Sequence, residues 1–316
     1  MSIVFNKSKE ISLDDETLRS DLLKIASGMD NVIALGRGDP DFHTPRHIVE
    51  AAKKALDENK HHYTPPTGLP ELRKSISKNF ELNYNLDYSD DEIIITAGVQ
   101  ESIALAMISL LKADDEVLIT SPRFTTYDLT VRMCNAKPVP VHTYEKDNFA
   151  LMPELIEQKI TKKTKLLVLV SPNNPTGAVT PPNNIKKIAQ IAIDNNLIVI
   201  SDEIYADLIY DSHEHLSIGS LEKMKERTLT LNGFSKTYAM TGWRVGYIAG
   251  PKDIINKMTE IRHALSINSC TFSQYGALAA LDGPQEEINK MKNEYNERRK
   301  FSMKALSDIG FTYGDP

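Results

Sequence analysis

From residue 91 onward, short apolar runs alternate with amphipathic stretches at a regular spacing. Residues 93–96, 117–120, 137–141, 166–170, 198–201, 228–232 and 245–249 are brief, β-prone runs that read as strands. Between them the pattern switches to helical period. Residues 101–111 are apolar at 103, 104, 107, 108 and 111, and further helices are predicted from 124 to 134, at 153–160 and at 183–195. Upstream, helices are predicted over 16–29, 48–58 and 71–82, with a short strand at 32–35. A long charged helix is predicted over 286–309, followed by the segment 310–316. Strands alternating with helices at this spacing predict βαβ units: an α/β fold with a mainly parallel sheet and helices on both faces. Each apolar run ends in polar or turn-forming residues. Gly98, Phe124, Asn174, Asp202, Tyr205 and Lys236 all fall just after a predicted strand, and open α/β sheets bind ligands outside the carboxyl ends of their strands.

Composition narrows the class without naming an activity. A chain of 316 residues is long for one core, so two domains or one large α/β domain are expected. With 41% hydrophobic and 25% charged residues it has a globular composition, and a net charge of −6 argues against a nucleic-acid footprint. No apolar run reaches membrane-spanning length, and the first ten residues lack the apolar core of a signal peptide, which together predict a cytoplasmic protein. Cys134 and Cys270 are too few for a disulfide framework and read as buried thiols.

The chemistry concentrates in residues 228–250, TLTLNGFSKTYAMTGWRVGYIAG. Lys236 and Arg244 lie eight residues apart between two strands, in a segment too apolar for ordinary surface. A lysine desolvated at a strand end becomes an amine nucleophile able to form a Schiff base with an aldehyde. An arginine fork suits a phosphate. Aldehyde and phosphate together describe pyridoxal 5′-phosphate (PLP). A snorkelling lysine beside a salt-bridged arginine is the alternative. Gly98-Val99-Gln100 opens a helix, so its backbone N–H groups and the helix dipole can hold a phosphate, although any helix start looks similar. Phe124 offers a flat face for a ring, or a core contact. Asp202 can keep a pyridine nitrogen protonated, or lead an acidic helix start. Asn174 and Tyr205 suit a phenolic oxygen. His213-x-His215 has no third ligand nearby and reads as a pair of solvated loop histidines.

The motifs LGRGDPDFHTP, YTPPTGLPELR, TAGVQES, SPRFTTYD, SPNNPTGA, SDEIYADLIY and NGFSKTYAMTGWRVGY run in order from residue 35 to 250. In this set the chain resembles the PLP-dependent aminotransferases of fold type I, class I/II, near the prokaryotic aspartate and aromatic enzymes. The resemblance implies a large PLP-binding domain (46–285) with a mostly parallel seven-stranded sheet. It also implies a small α/β domain drawn from residues 1–45 and 286–316. Lys236 would hold the cofactor aldehyde and shuttle the proton, Asp202 would pair the ring nitrogen, and Tyr205 and Asn174 would contact the phenolic oxygen. Gly98, Val99, Gln100, Ser235 and Arg244 would surround the phosphate, with Phe124 stacked on the ring. Gly38, Phe124 and Asn174 would lie against the substrate. Tyr63 would reach the phosphate of a neighbouring subunit in a homodimer. Gly233 stands where many relatives carry a phosphate-binding serine. The family's small domain continues beyond residue 316 and carries there the arginine for the substrate α-carboxylate, so no residue is assigned that role and weak transamination is expected of this chain alone. The implied reaction exchanges an amino group between an L-amino acid and a 2-oxo acid by a ping-pong route. A carbon–sulfur lyase on the same fold and a PLP-fold regulatory module without turnover are the rival readings.

Overall fold

The computed structural model describes Ile25, Gly28, Met29 and residues 38–316. The predicted strand at 32–35, Arg37 and most of the predicted helix at 16–29 lie outside the described residues. Two compact units, Met1–Asp39 and Pro40–Pro316, divide the chain, and the sheet and its helices belong to the second.

Its centre is a seven-stranded sheet: β1 (Ile93–Thr96), β2 (Glu116–Ser121), β3 (Lys137–His142), β4 (Thr164–Val170), β5 (Ile198–Asp202), β6 (Thr228–Gly233) and β7 (Gly246–Ala249). The order across the sheet is β1-β7-β6-β5-β4-β2-β3. All neighbours are parallel except β7, which runs antiparallel to both β1 and β6. Thr96 and Gly233 both pair with Gly246, so the carboxyl ends of β1 and β6 meet the start of β7. The segment between β6 and β7, which holds Lys236 and Arg244, therefore sits over the same sheet end as the loops after β1, β2, β4 and β5.

Helices cover both faces. They are α1 (Arg46–Asp57), α2 (Pro70–Tyr84), α3 (Val99–Leu110), α4 (Thr126–Met133), α5 (Pro153–Glu157), α6 (Pro182–Asp194), α7 (Lys252–Leu265), α8 (Thr271–Asp282) and α9 (Glu286–Asp308). Alternate strand residues serve different layers, as the two-residue pleat requires. Ile94, Val117, Ile119, Val168, Ile200 and Leu231 face one way, onto apolar residues of α3, α4 and α7. On the opposite face, Leu118, Leu167 and Val199 pack on α5 and α6, while Ile93, Ile95 and Tyr247 pack on α1, α2 and α8. Being covered on both sides explains why these strands are apolar throughout rather than alternating.

Among the described residues the predicted strands and helices are recovered with shifts of a few residues at their ends; the helix predicted at 153–160 is the shortest match, ending at Glu157. The prediction left 251–285 without elements, where α7 and α8 stand. The helix α8, TFSQYGALAALD, buries Ser273, Gln274 and Gly276 as well as alanines, which blurs any apolar stripe. Among its 23 residues α9 buries only Ile288 and Met291, and Phe301 is 75% exposed. Among the described residues no helix is long and apolar enough to cross a membrane.

Candidate active site

The site is built from strand ends. Asp202 closes β5 and is buried. Its Oδ1 accepts the Ile204 backbone N–H at 3.1 Å, and its other oxygen accepts a short hydrogen bond from the Tyr127 hydroxyl. Burial is the main influence on this carboxyl and raises its pKa from 3.8 to about 6. The Tyr127 and Ile204 donors pull it down, the neighbouring Glu203 charge pushes it up and Lys236 pulls it down. A buried carboxylate with so little intrinsic wish to ionise is suited to a cationic partner.

Tyr205 follows in the turn after β5. Burial and the nearby Asp202 charge raise its hydroxyl pKa to about 12, and its hydrogen bond with Asn174 acts the other way. The Lys236 ammonium lies 5.9 Å from the centre of the Tyr205 ring. Lys236 is half-buried in the turn after β6, between the Asp202 strand and the β7–β1 side of the sheet. Phe124 is half-buried against the core beneath the loop that leaves β2.

The other end is the start of α3. Gly98 is its N-cap with φ +84°, a conformation that favours glycine, and no side chain caps the helix. The first N–H groups of a helix have no partner within it. A Cβ on Gly98 would lie 2.7 Å from Nη2 of Arg244, so the missing side chain is what lets the guanidinium close on the helix start. Arg244, itself at φ +53°, donates from Nη1 to Thr241 O (2.9 Å) and from Nη2 to Ala97 O (3.1 Å). Gln100 turns its side chain to Thr126 Oγ1 at 3.2 Å, which leaves its backbone for a ligand. Ser235 is half-buried in the turn beside Lys236.

This arrangement fits a ring that carries a cation at one edge, an oxygen beside it and a phosphate at the far end. Asp202 meets the first, Tyr205 and Asn174 the second, and the uncapped α3 terminus with Arg244 the third. PLP has that outline.

The readings of Cys270 as buried and of His215 as solvated are corrected. Cys270 is exposed rather than buried, because it precedes the first residue of α8; Cys134 is partly buried. His215 is not a solvated loop residue: its Nε2 lies 2.9 Å from the buried Glu203, with only 11% of its side chain exposed. Burial works against its charge, and the Glu203 and Asp207 carboxylates outweigh it and raise its pKa. His213 instead lies 3.4 Å from Asp315. Among the described residues no group of side chains could hold a metal ion. Gly38 is exposed and belongs to the unit Met1–Asp39, so the site built here does not include it. Tyr63 stands 79% exposed. Gly233 has a steric reason of its own: a Cβ there would lie 2.9 Å from Gly246 Cα, where β6 and β7 cross closely.

Tyr127 is a candidate site residue that sequence reasoning missed. It is the second residue of α4, buried, and burial together with the Asp202 charge holds its hydroxyl protonated. Its only sequence signal was a buried-face tyrosine within SPRFTTYD, which reads equally well as core.

The model of the family "aminotransferase class I and II" matches residues 30–316. The chain is 44% identical to the aspartate aminotransferase of Pyrococcus abyssi over 292 residues, covering 92% of this chain and 75% of that protein. It is 40% identical to aromatic-amino-acid aminotransferase 2 of Thermococcus litoralis over the same coverage. Its fold superposes on aspartate aminotransferase from Thermus thermophilus with maleate with a TM-score of 0.91 and 35% identity, covering 97% of this chain and 80% of that one.

Proposed function

The chain belongs to the class I and II aminotransferases, and we propose that it exchanges an amino group between an L-amino acid, aspartate or an aromatic one, and a 2-oxo acid in two half-reactions. It is an enzyme, a PLP-dependent transferase of nitrogenous groups. The observation that carries the residue assignment is the spacing of opposite ends across one sheet edge. The buried Asp202 carboxylate lies on β5, the Gly98–Arg244 cradle adjoins β1, and Lys236 lies over the strands between.

When bound, PLP supplies an aldehyde that receives the amino group and a ring that draws electrons from the substrate Cα. Asp202 would hold the ring nitrogen as a cation. Tyr205 and Asn174 would hold the phenolic oxygen and fix the ring's rotation. Gly98, Val99 and Gln100 through their backbone N–H groups, with Ser235 and Arg244, would bind the phosphate, and Phe124 would cover one face of the ring. Lys236 would hold the aldehyde end until substrate arrives. Its freed Nζ would then take the proton from the substrate Cα and return one to the product side, which requires a base at that atom. Phe124 and Asn174 would border the substrate as well.

A homodimer in the cytoplasm fits these features. An exposed Tyr63 on a stiff loop is positioned to serve a second subunit, and the unpaired thiols of Cys134 and Cys270 suit a reducing compartment. A division into 1–45, 46–285 and 286–316 is supported by contacts between α9 and residues just before α1. Tyr295 meets Phe42 edge-on at 5.1 Å, and Arg298 pairs with Asp41 at 2.9 Å.

The test is a donor and acceptor profile with product analysis. Glutamate formed from 2-oxoglutarate and aspartate, phenylalanine or tyrosine supports the reading. Pyruvate and ammonia released from cystathionine with no amino transfer would replace it with the lyase.

A further inference from the structure

Arg262 is the largest fully buried side chain among the described residues, and no step proposed above uses it. It extends from α7 into the space between α3 and the loop that carries Tyr63. Nη1 donates to Pro66 O at 2.5 Å and Nη2 to Ser269 Oγ at 2.6 Å. Nε has no hydrogen-bond partner and lies 3.6 Å from Oε1 of Glu101, close enough for charge pairing. Burial lowers the Arg262 pKa and the Glu101 carboxylate opposes that.

Glu101 is the other half. It sits in the first turn of α3, and its Oε2 accepts the Ala97 N–H at 2.5 Å while Oε1 accepts the Ser266 hydroxyl at 2.7 Å. The carbonyl of the same residue, Ala97, accepts Arg244 Nη2. The peptide groups flanking Ala97, just before the phosphate cradle, are thus held by Glu101 on the N–H side and Arg244 on the carbonyl side. A carboxylate in the first turn of a helix favours the dipole, yet it repels a phosphate bound at the same terminus. A buried guanidinium beside it offsets that repulsion.

We propose that Glu101 and Arg262 are positioning residues for the phosphate end of the cofactor site, with Glu101 fixing Ala97 and Arg262 neutralising Glu101 while tying it to the Tyr63 loop at Pro66. The inference rests on the phosphate assignment made above. The tie to the loop is reinforced next door, where Thr64 Oγ1 accepts from Asn268 Nδ2 at 3.0 Å and from Gln274 Nε2 at 3.2 Å.

The measurement is the dissociation constant of the apoprotein for PLP and for pyridoxal, the same ring without the phosphate. The pyridoxal constant divided by the PLP constant reports what the phosphate contributes. Glu101→Ala lowers that ratio about tenfold or more with pyridoxal affinity near wild type, because the contact that fixes Ala97 is lost, while Tm falls as Arg262 is left buried without its carboxylate. Glu101→Gln restores most of it, because an amide oxygen still accepts the Ala97 N–H. Arg262→Met lowers it as Glu101→Ala does. An unchanged ratio in Glu101→Ala, whether both affinities hold or both fall equally, overturns the proposal. Arg244→Met serves as the control for the phosphate assignment itself. A wild-type protein that holds pyridoxal as tightly as PLP would remove that assignment, and this inference with it.

Discussion

At Asp202 the fold and the chemistry pull in opposite directions. A carboxyl buried at the end of β5 prefers to be neutral, whereas a cationic ring nitrogen needs it ionised. The folded pKa, about 6, lies above the unfolded value of 3.8, so the native apoprotein binds this proton more tightly than the unfolded chain. The corresponding stability is present at low pH and lost as pH rises from 3.8 through about 6, a difference on the order of 3 kcal/mol. Asp202→Asn should therefore stabilise the apoprotein at pH 7. Its Oδ1 can keep the Ile204 N–H, and its amide can donate to a reoriented Tyr127 hydroxyl. The same variant should lose roughly two to three orders of magnitude in kcat, about 3–4 kcal/mol of transition-state stabilisation. Urea melts of the apoprotein and steady-state rates on one preparation check both halves; a variant with wild-type kcat at full PLP occupancy would remove Asp202 from its role. The cofactor's own pH dependence follows. Below about pH 6 a proton competes for Asp202, so PLP affinity should fall as pH drops through that value. Tyr127→Phe removes a donor that holds the pKa down, and the fall should then begin at higher pH. Titrating PLP binding between pH 5 and 8 in both proteins shows whether the acid limb moves; superimposable curves would mean that Tyr127 is packing alone.

Among the elements, what could be read from sequence is what local pattern dictates. Strands buried on both faces appear as apolar runs, and the polar or turn-forming residues that end them, Gly98, Asn174, Asp202 and Lys236 among them, could be named as candidates from that pattern because the end of a buried strand offers such residues few structural uses. Direction and order across the sheet were not legible. Whether β7 runs with or against β6 depends on pairing across the sheet, and nothing within GYIA encodes it. The helices α7 and α8 escaped because α7 buries an arginine and α8 buries polar and small residues where a stripe of leucines would have announced them. His215 was misread because its carboxylate partner stands 12 residues upstream, visible only once β5 and the loop are folded together. The β6–β7 crossing shows how narrow such an element-level constraint is. Gly233 and Gly246 pair directly, and a Cβ on Gly233 would approach Gly246 Cα to 2.9 Å, a backbone contact that no rotamer relieves. Gly233→Ser, which would import the serine found in many relatives, should cost about 1–3 kcal/mol of stability by overpacking rather than strengthen phosphate binding. Chemical denaturation of the holoenzyme, with the PLP dissociation constant measured alongside, decides it. A tighter cofactor at unchanged stability would show that the strands separate readily.

At the scale of the whole molecule, the exposed Tyr63 is the residue whose position makes least sense within one subunit. A tyrosine 79% exposed sits on a loop that is otherwise firmly held: Thr64 accepts from Asn268 and Gln274, Pro66 O accepts from Arg262, and the Ile95 N–H donates to Thr67 O at 3.0 Å. A mobile surface tyrosine would need no such support, whereas one presented to a second subunit would. If Tyr63 donates to the phosphate across a two-fold axis, each complete site takes Lys236 from one chain and Tyr63 from the other. Lys236→Ala homodimers then lack the base at both sites. Tyr63→Ala homodimers lose a hydrogen bond to a charged group at both, about 1.5–3 kcal/mol of cofactor binding, and fail when PLP saturates only the wild-type protein. Dissociating and reassociating the two variants at equal concentration produces hybrids in half of the dimers. In a hybrid one site carries both lesions and the other carries neither, so about a quarter of all sites in the mixture are intact. Activity should therefore rise from the background of either parent to about a quarter of wild type after mixing, and it should do so at the rate of subunit exchange. Were Tyr63 to serve its own subunit, every hybrid would contain one Lys236→Ala site and one Tyr63→Ala site, and mixing would recover nothing.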